Sequence, residues 1–198
     1  MSRLDPLPPD HSPELADQFA SFLKSLGFVP NSVLTMQRQP QLVRAFVGLQ
    51  AAIWGADAKV DRGLKRLIAH VASLTAGDAY SMAHTASGAL HFGVSEAKLD
   101  GVANFRESPH FTDAERAALE LAVAAASVPN AVTDEMFAAL RRHWSEEQIV
   151  EIVAAIAATG FVNRWNATMA TPLEDEPMLV GNQHLVKHGW SPGRHQPR

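Results

Sequence analysis

Cysteine is absent from this chain. Its absence removes disulfides, thiolate zinc sites, iron–sulfur clusters and cysteine nucleophiles together, because each needs a thiol sulfur. Positive charge is also scarce: 17 Lys and Arg stand against 21 Asp and Glu, for a formal net charge of −4. No basic run occurs, so neither nucleic acid nor an anionic membrane surface finds the concentrated cationic patch it needs. No apolar run approaches the roughly 20 residues of a bilayer span, and residues 1–9 carry prolines and charge where a signal peptide would have an apolar core. These absences predict a cytoplasmic protein with no nucleic-acid or membrane partner. Strand patterning is scarce as well, since β-branched alternation is rare along the whole chain.

What is present is 46% hydrophobic residues over 198 positions, ample for a buried core, and apolar spacing of three and four from end to end. The reading is an all-α, compact multi-helix fold. Leu15, Phe19, Phe22, Leu23 and Leu26 form one stripe ending at Gly27. Pro30 and Pro40 bound a turn-rich stretch, after which Leu42, Phe46, Leu49 and Ile53 resume the helical period. Leu64, Leu67, Ile68, Val71 and Leu74 predict a helix over about 60–75, broken at Gly77 and Asp78, with the next helix over 79–92. Ser95 with Glu96 opens a further helix, and Thr112/Glu115 and Ser145/Gln148 have capping-box spacing ahead of apolar runs. The chain therefore divides into a helical domain at 1–172 and a Pro-, Gly- and His-bearing tail at 173–198 expected to be an extended arm. The Glu146-Glu147 pair and the Glu174-Asp175-Glu176 run read as cap and solvated surface.

An offset of 50 aligns Arg66 with Arg116 and Ser95-Glu96 with Ser145-Glu146, so the two halves read as a weak helical quasi-repeat. The first copy carries His70, Tyr80, His84 and His91 where the second has Glu120, Asn130, Asp134 and Arg141. If one copy carries chemistry, the first is the better candidate.

The stretch 69–94, AHVASLTAGDAYSMAHTASGALHFGV, resembles the signature of the alkylhydroperoxidase and carboxymuconolactone decarboxylase group, Cys-x-Tyr-Cys followed closely by His and later Gly. The matching residues are Asp78, Ala79, Tyr80, Ser81, the pair His84-Thr85, and Gly93. Both cysteine positions are thus substituted, the group's glutamate falls on Arg66, and the histidine is displaced by one from Thr85 to His84. The signature region runs over 66–94. Val29-Pro30-Asn31, Gln39-Pro40-Gln41-Leu42 and the segment 111–166 are similar to other parts of the group. The resemblance implies a helical fold that buries its site between subunits of a homodimer, trimer or hexamer. A thiol peroxidase is excluded, because a serine hydroxyl cannot replace either the attacking or the resolving thiol. The decarboxylase branch needs neither thiols nor a cofactor, and so implies a cofactor-free acid–base lyase or isomerase on a small organic acid or lactone. A catalytically degenerate scaffold or small-ligand-binding protein is the alternative.

Ser81, His84, Gly88 and His91, at spacings of three, four and three, share one helical face, and Gly88 leaves room above it. His84 is the candidate general acid or base because imidazole titrates near neutrality. Tyr80 or Ser81 would donate to a developing oxyanion. Arg66 or Arg164 would hold a substrate carboxylate through the guanidinium fork, with Asp78 and His70 as further candidate binding residues. His84 equally fits an ordinary hydrogen-bonded core or interface histidine. No metal is expected: His84 and His91 are two helical turns apart, roughly 10 Å, and no HExxH pair exists. A Ser81–His84–Asp78 triad lacks a nucleophile elbow. Trp54, Trp144 and Trp165 read as core or interface aromatics, and His184, His188 and His195 as exposed or subunit-wrapping residues.

Overall fold

In the computed structural model, residues 2–197 are described; residues 1 and 198, which close the two expected segments, lie outside them. The described residues form ten α-helices joined by short 3-10 and π turns, with no strand. They are α1 (Ala16–Leu26), α2 (Asn31–Met36), α3 (Pro40–Trp54), α4 (Arg62–Ala76), α5 (Ala79–His91), α6 (Glu96–Asp100), α7 (Asp113–Ala126), α8 (Asp134–Arg141), α9 (Glu146–Met169) and α10 (Asp175–Val180). No helix among the described residues is long and apolar enough to cross a membrane.

Helix α4 is the axis of the fold, packed by α5, α7 and α9. Its apolar stripe of Leu64, Leu67, Ile68 and Val71 is supplemented by Ala69, Ala72 and Ser73, small enough to let neighbours approach on its other sides, and all are buried. Asp61 starts it by accepting from the Leu64 amide at 2.8 Å. Gly77 ends it at φ 67°, a left-handed turn that a side chain would strain, and the chain reverses at once into α5. Asp78 then caps α5 by accepting from the Ser81 amide at 3.0 Å. Both capping boxes, Thr112/Glu115 and Ser145/Gln148, are formed in full and open α7 and α9.

Helix α9 carries alanine and isoleucine around its circumference and packs on two sides. Ile149, Ile152 and Ile156 enter the main core with α4 and α7, while Ala155 and Ala158 meet Ile53 of α3. A second core, of Leu15, Phe19, Val33, Met36, Val43 and Phe46, binds α1, α2 and α3 into an N-terminal layer. The stretch between Pro30 and Pro40 is largely helical, as α2, whose residues 32–36 are all buried.

The tail departs from the extended arm that its composition suggests. It folds into α10 and further turns and packs Leu173, Val180, Leu185 and Trp190 into the main core. The Trp190 indole donates to the Ala79 carbonyl at 3.0 Å, and Lys187 pairs with Asp100 at 2.5 Å. Four large apolar residues moved from water outweigh the local turn preferences of proline and glycine. His184 and His195 are buried with it.

Candidate active site

Between the N-terminal layer and the α4–α5 hairpin lies a cavity of about 740 Å³. Phe22, Phe28, Phe46, Trp54 and Phe92 supply aromatic wall, Tyr80, Ser81, His84, Arg62 and Arg66 supply its polar groups, and Gly88 adds no side chain. Helical spacing on α5 brings Ser81, His84, Gly88 and His91 to this one space, as the sequence face predicts.

His84 is half-buried, and its Nε2 lies 2.6 Å from Oε2 of Glu174, at the start of the tail. The carboxylate receives two more donors on Oε1, the Tyr80 hydroxyl at 2.8 Å and the Asn31 amide at 2.5 Å. Burial alone would push the Glu174 carboxyl up; the charge and hydrogen bond of His84, the Asn31 amide and the Tyr80 hydroxyl more than offset it and hold the group below the usual carboxylate range. Glu174 is therefore an anion at neutral pH. As a carboxylate can only accept, the hydrogen between it and His84 belongs to Nε2. The other ring nitrogen, Nδ1, has no hydrogen-bond partner among the described residues. Tyr80 stacks on the imidazole with centroids 4.3 Å apart, and Phe28 meets it edge-on at 5.8 Å. Burial, then the Glu174 charge, pushes the Tyr80 hydroxyl well above its ordinary value, so it stays a donor.

The remaining sequence candidates separate. The Ser81 hydroxyl is buried at the cavity wall without a hydrogen-bond partner. Arg66 lies across Gly88, where a Cβ would stand 3.0 Å from its Cδ, and its guanidinium stacks on Trp54 at 4.0 Å. Arg164 is exposed, donates to the Gly160 carbonyl at 3.2 Å within its own helix, and is not part of the cavity wall. Asp78, beyond its cap, has Oδ1 3.5 Å from Nε2 of His195, whose Nδ1 contacts the Thr171 carbonyl at 2.8 Å. His70 is fully buried and does not line the cavity. Its Nδ1 lies 3.0 Å from both the Met82 carbonyl and the Thr85 hydroxyl, and burial pushes it down to about 4, so it is neutral at pH 7. The described residues contain no group of three His, Asp or Glu side chains that could hold a metal ion.

Glu174 corrects the reading of its acidic run as wholly solvated. Asp175 and Glu176 are exposed, but Leu173 and Pro177 are buried on either side and turn the Glu174 side chain inward. That apolar pair at i−1 and i+3 was the signal in the sequence.

The all-helical scaffold places the protein among known proteins of the same fold. The family model described as carboxymuconolactone decarboxylase matches residues 40–124. The debrominase Bmp8, crystallised as a cysteine-to-alanine variant in complex with 2,3,4-tribromopyrrole, is 36% identical with a TM-score of 0.86, covering 92% of this chain and 97% of that one. An uncharacterized peroxidase-related protein from Ralstonia eutropha JMP134, described as an alkylhydroperoxidase AhpD core, is 25% identical with a TM-score of 0.79, covering 91% and 96%. The uncharacterized protein YnjA of Escherichia coli (strain K12) is 38% identical over 80 residues, which is 40% of this chain and 44% of that protein's length. The chain belongs to the carboxymuconolactone decarboxylase family, as a member without cysteine.

Proposed function

We propose that this protein is a cofactor-free acid–base lyase or isomerase acting on a small organic acid or lactone, with His84 as the proton-transfer group. The observation that carries the reading is the 2.6 Å contact of His84 Nε2 with the anionic Glu174 beside the cavity. The carboxylate fixes the tautomer and ring orientation and stabilises the imidazolium that forms, leaving Nδ1 as base. Nδ1 takes a proton from the carbon next to an unsaturated carbonyl system; the C–H electron pair moves to the carbonyl oxygen as a dienolate, and the imidazolium returns the proton to another carbon of that dienolate, so that the double bond shifts and the isomer forms. In the lyase variant a carboxylate on the carbon next to the carbonyl leaves as carbon dioxide, its C–C pair forms the enolate, and His84, carrying a proton taken from water beforehand, delivers that proton to carbon. Because Tyr80 spends its hydroxyl on Glu174, Ser81, whose hydroxyl is unpartnered, is the donor to the enolate oxygen. Arg66 receives the substrate carboxylate. Arg164, Asp78 and His70 take no part.

The complex of Bmp8 with tribromopyrrole supports a cavity shaped for a small, flat ligand. The exposed apolar residues Leu49, Val150, Val153 and Phe161 on α3 and α9 support a homo-oligomer, and the net charge of −4 disfavours nucleic-acid and anionic-membrane partners. A second reading, binding without turnover, draws on the loss of the cysteines. The test is turnover of a panel of 2-oxo acids, 3-oxo acids and carboxylated lactones by wild type and His84→Gln. The expected result is wild-type turnover of a panel member and a loss of about 10²–10⁴-fold in the variant. Equal rates, or no turnover of any member by wild type, would remove catalysis by His84. Peroxide consumption with a dithiol reductant stays at background.

A further inference from the structure

In the cavity wall, Glu174 is answered by His84, Tyr80 and Asn31, and Glu176 by the Ser87 hydroxyl at 2.7 Å. The two arginines are not answered in this way. Neither Arg62 nor Arg66 meets a carboxylate among the described residues, and Arg66 Nε is sealed from water without a hydrogen-bond partner. Burial first, and the neighbouring Arg62 charge second, push the Arg66 guanidinium down to about 10, so it remains a cation at neutral pH. Arg66 is half-buried, and a partly desolvated cation without an anion is an arrangement that an anionic ligand relieves.

The direction of that relief is set by stacking. Trp54 covers one face of the Arg66 guanidinium at 4.0 Å, and Phe92 carries Arg62 at 4.0 Å. With one face on the indole and Nε sealed, the edge formed by the two Nη atoms, which has no hydrogen-bond partner among the described residues, is left for a carboxylate in the guanidinium plane. In a conjugated acid the carboxylate is coplanar with the unsaturated system behind it. Such a ligand continues the plane that already lies against Trp54, so its flat body enters the space walled by Phe28 and Phe46. A saturated acid turns its carbon skeleton out of that plane. Along α5, Gly88, beneath Arg66, is one turn beyond His84, a rise of about 6 Å.

We infer that Arg66, with Arg62 at the mouth, forms a seat for a planar conjugated carboxylate. The inference rests on the acid–base reading of the same site but is read by binding alone. Gly88 is part of the seat, because a Cβ there would press on Arg66 at 3.0 Å from Cδ and 3.1 Å from Nε.

The test is isothermal titration calorimetry of the full chain with benzoate, benzamide and cyclohexanecarboxylate. The wild type is expected to bind benzoate about tenfold or more tighter than benzamide, the size of one charge-assisted pair, and several-fold tighter than cyclohexanecarboxylate. Arg66→Met, which keeps the apolar stem against Trp54, should bind benzoate and benzamide within twofold of each other, and Arg66→Lys should retain part of the preference. Equal binding of benzoate and benzamide by wild type, a comparison that needs no variant, overturns the seat; so does an acid preference that survives Arg66→Met. Cyclohexanecarboxylate binding as well as benzoate overturns the planar class. Turnover by His84→Gln reads the catalytic claim separately from benzoate binding. If that variant turns over substrate at the wild-type rate, the catalytic reading fails while the binding preference stands by its own measurement.

Discussion

His70 permits a worked stability prediction. Its ring is wholly inside the α4–α5 hairpin, close to the Met82 carbonyl and Thr85 hydroxyl, with a pKa of about 4 against 6.5 for a free imidazole. Above pH 6.5 both folded and unfolded states hold it neutral and it contributes no pH dependence. As pH falls below 6.5 the unfolded chain takes up a proton that the folded chain refuses, so stability drops, and the drop ends near pH 4 when the folded state also titrates. The 2.5-unit difference corresponds to about 3 kcal/mol in full, of which about 2 kcal/mol is lost between pH 7.5 and pH 5. The assay is urea denaturation of wild type and His70→Gln at pH 7.5, 6 and 5. The non-titrating amide costs on the order of 1 kcal/mol at pH 7.5 through its altered hydrogen bond. By pH 5 the wild type should have fallen toward or below the variant. Parallel pH dependences in the two proteins would refute the account of His70 as a neutral core residue and return it to the list of functional histidines.

Glu174→Ala strands three donors, the Tyr80 hydroxyl, the Asn31 amide and His84 Nε2. A loss of about 2–4 kcal/mol in denaturant unfolding at pH 7.5 is expected, and a change under about 0.5 kcal/mol would contradict the network. Because the Glu174 carboxyl is held below its ordinary value of 4.5, its contribution is present above that pH and disappears as pH falls through the lower folded value; Glu174→Gln should flatten this acid limb. Trp190→Ala removes a buried indole and its bond to the Ala79 carbonyl. It should cost about 3–5 kcal/mol, and proteolysis should then cut first within 175–197 while residues 62–169 stay protected.

Much of the helical framework was legible because its signals are local. The stripe of Leu64, Leu67, Ile68 and Val71, the left-handed stop at Gly77 and the two capping boxes lie within a few residues of the structure they specify. The face carrying Ser81, His84 and Gly88 followed from the same period. What the sequence concealed is what the chain brings together over long separations. Glu174 stands 90 residues after His84, and its acidic neighbours disguise it as surface. The tail's punctuation by Pro172, Pro177, Gly181 and Gly189 speaks for irregular backbone, while the burial of Leu173, Val180, Leu185 and Trp190 that decides its position is a tertiary effect. For the same reason His70, Asp78 and Arg164, plausible by residue type, proved to lie in the core, at a helix cap and on the surface.

The central claim is that His84, held by Glu174, moves protons at carbon. Its most direct test is deuterium incorporation, followed by proton NMR in deuterium oxide, at the carbon beside the carbonyl of the 2-oxo and 3-oxo acids and lactones of the panel. Wild type should exchange this position above the protein-free rate, and Glu174→Gln should exchange it about 10²-fold more slowly while binding benzoate as before. Exchange by Glu174→Gln at the wild-type rate, or none above background by wild type, would contradict the account.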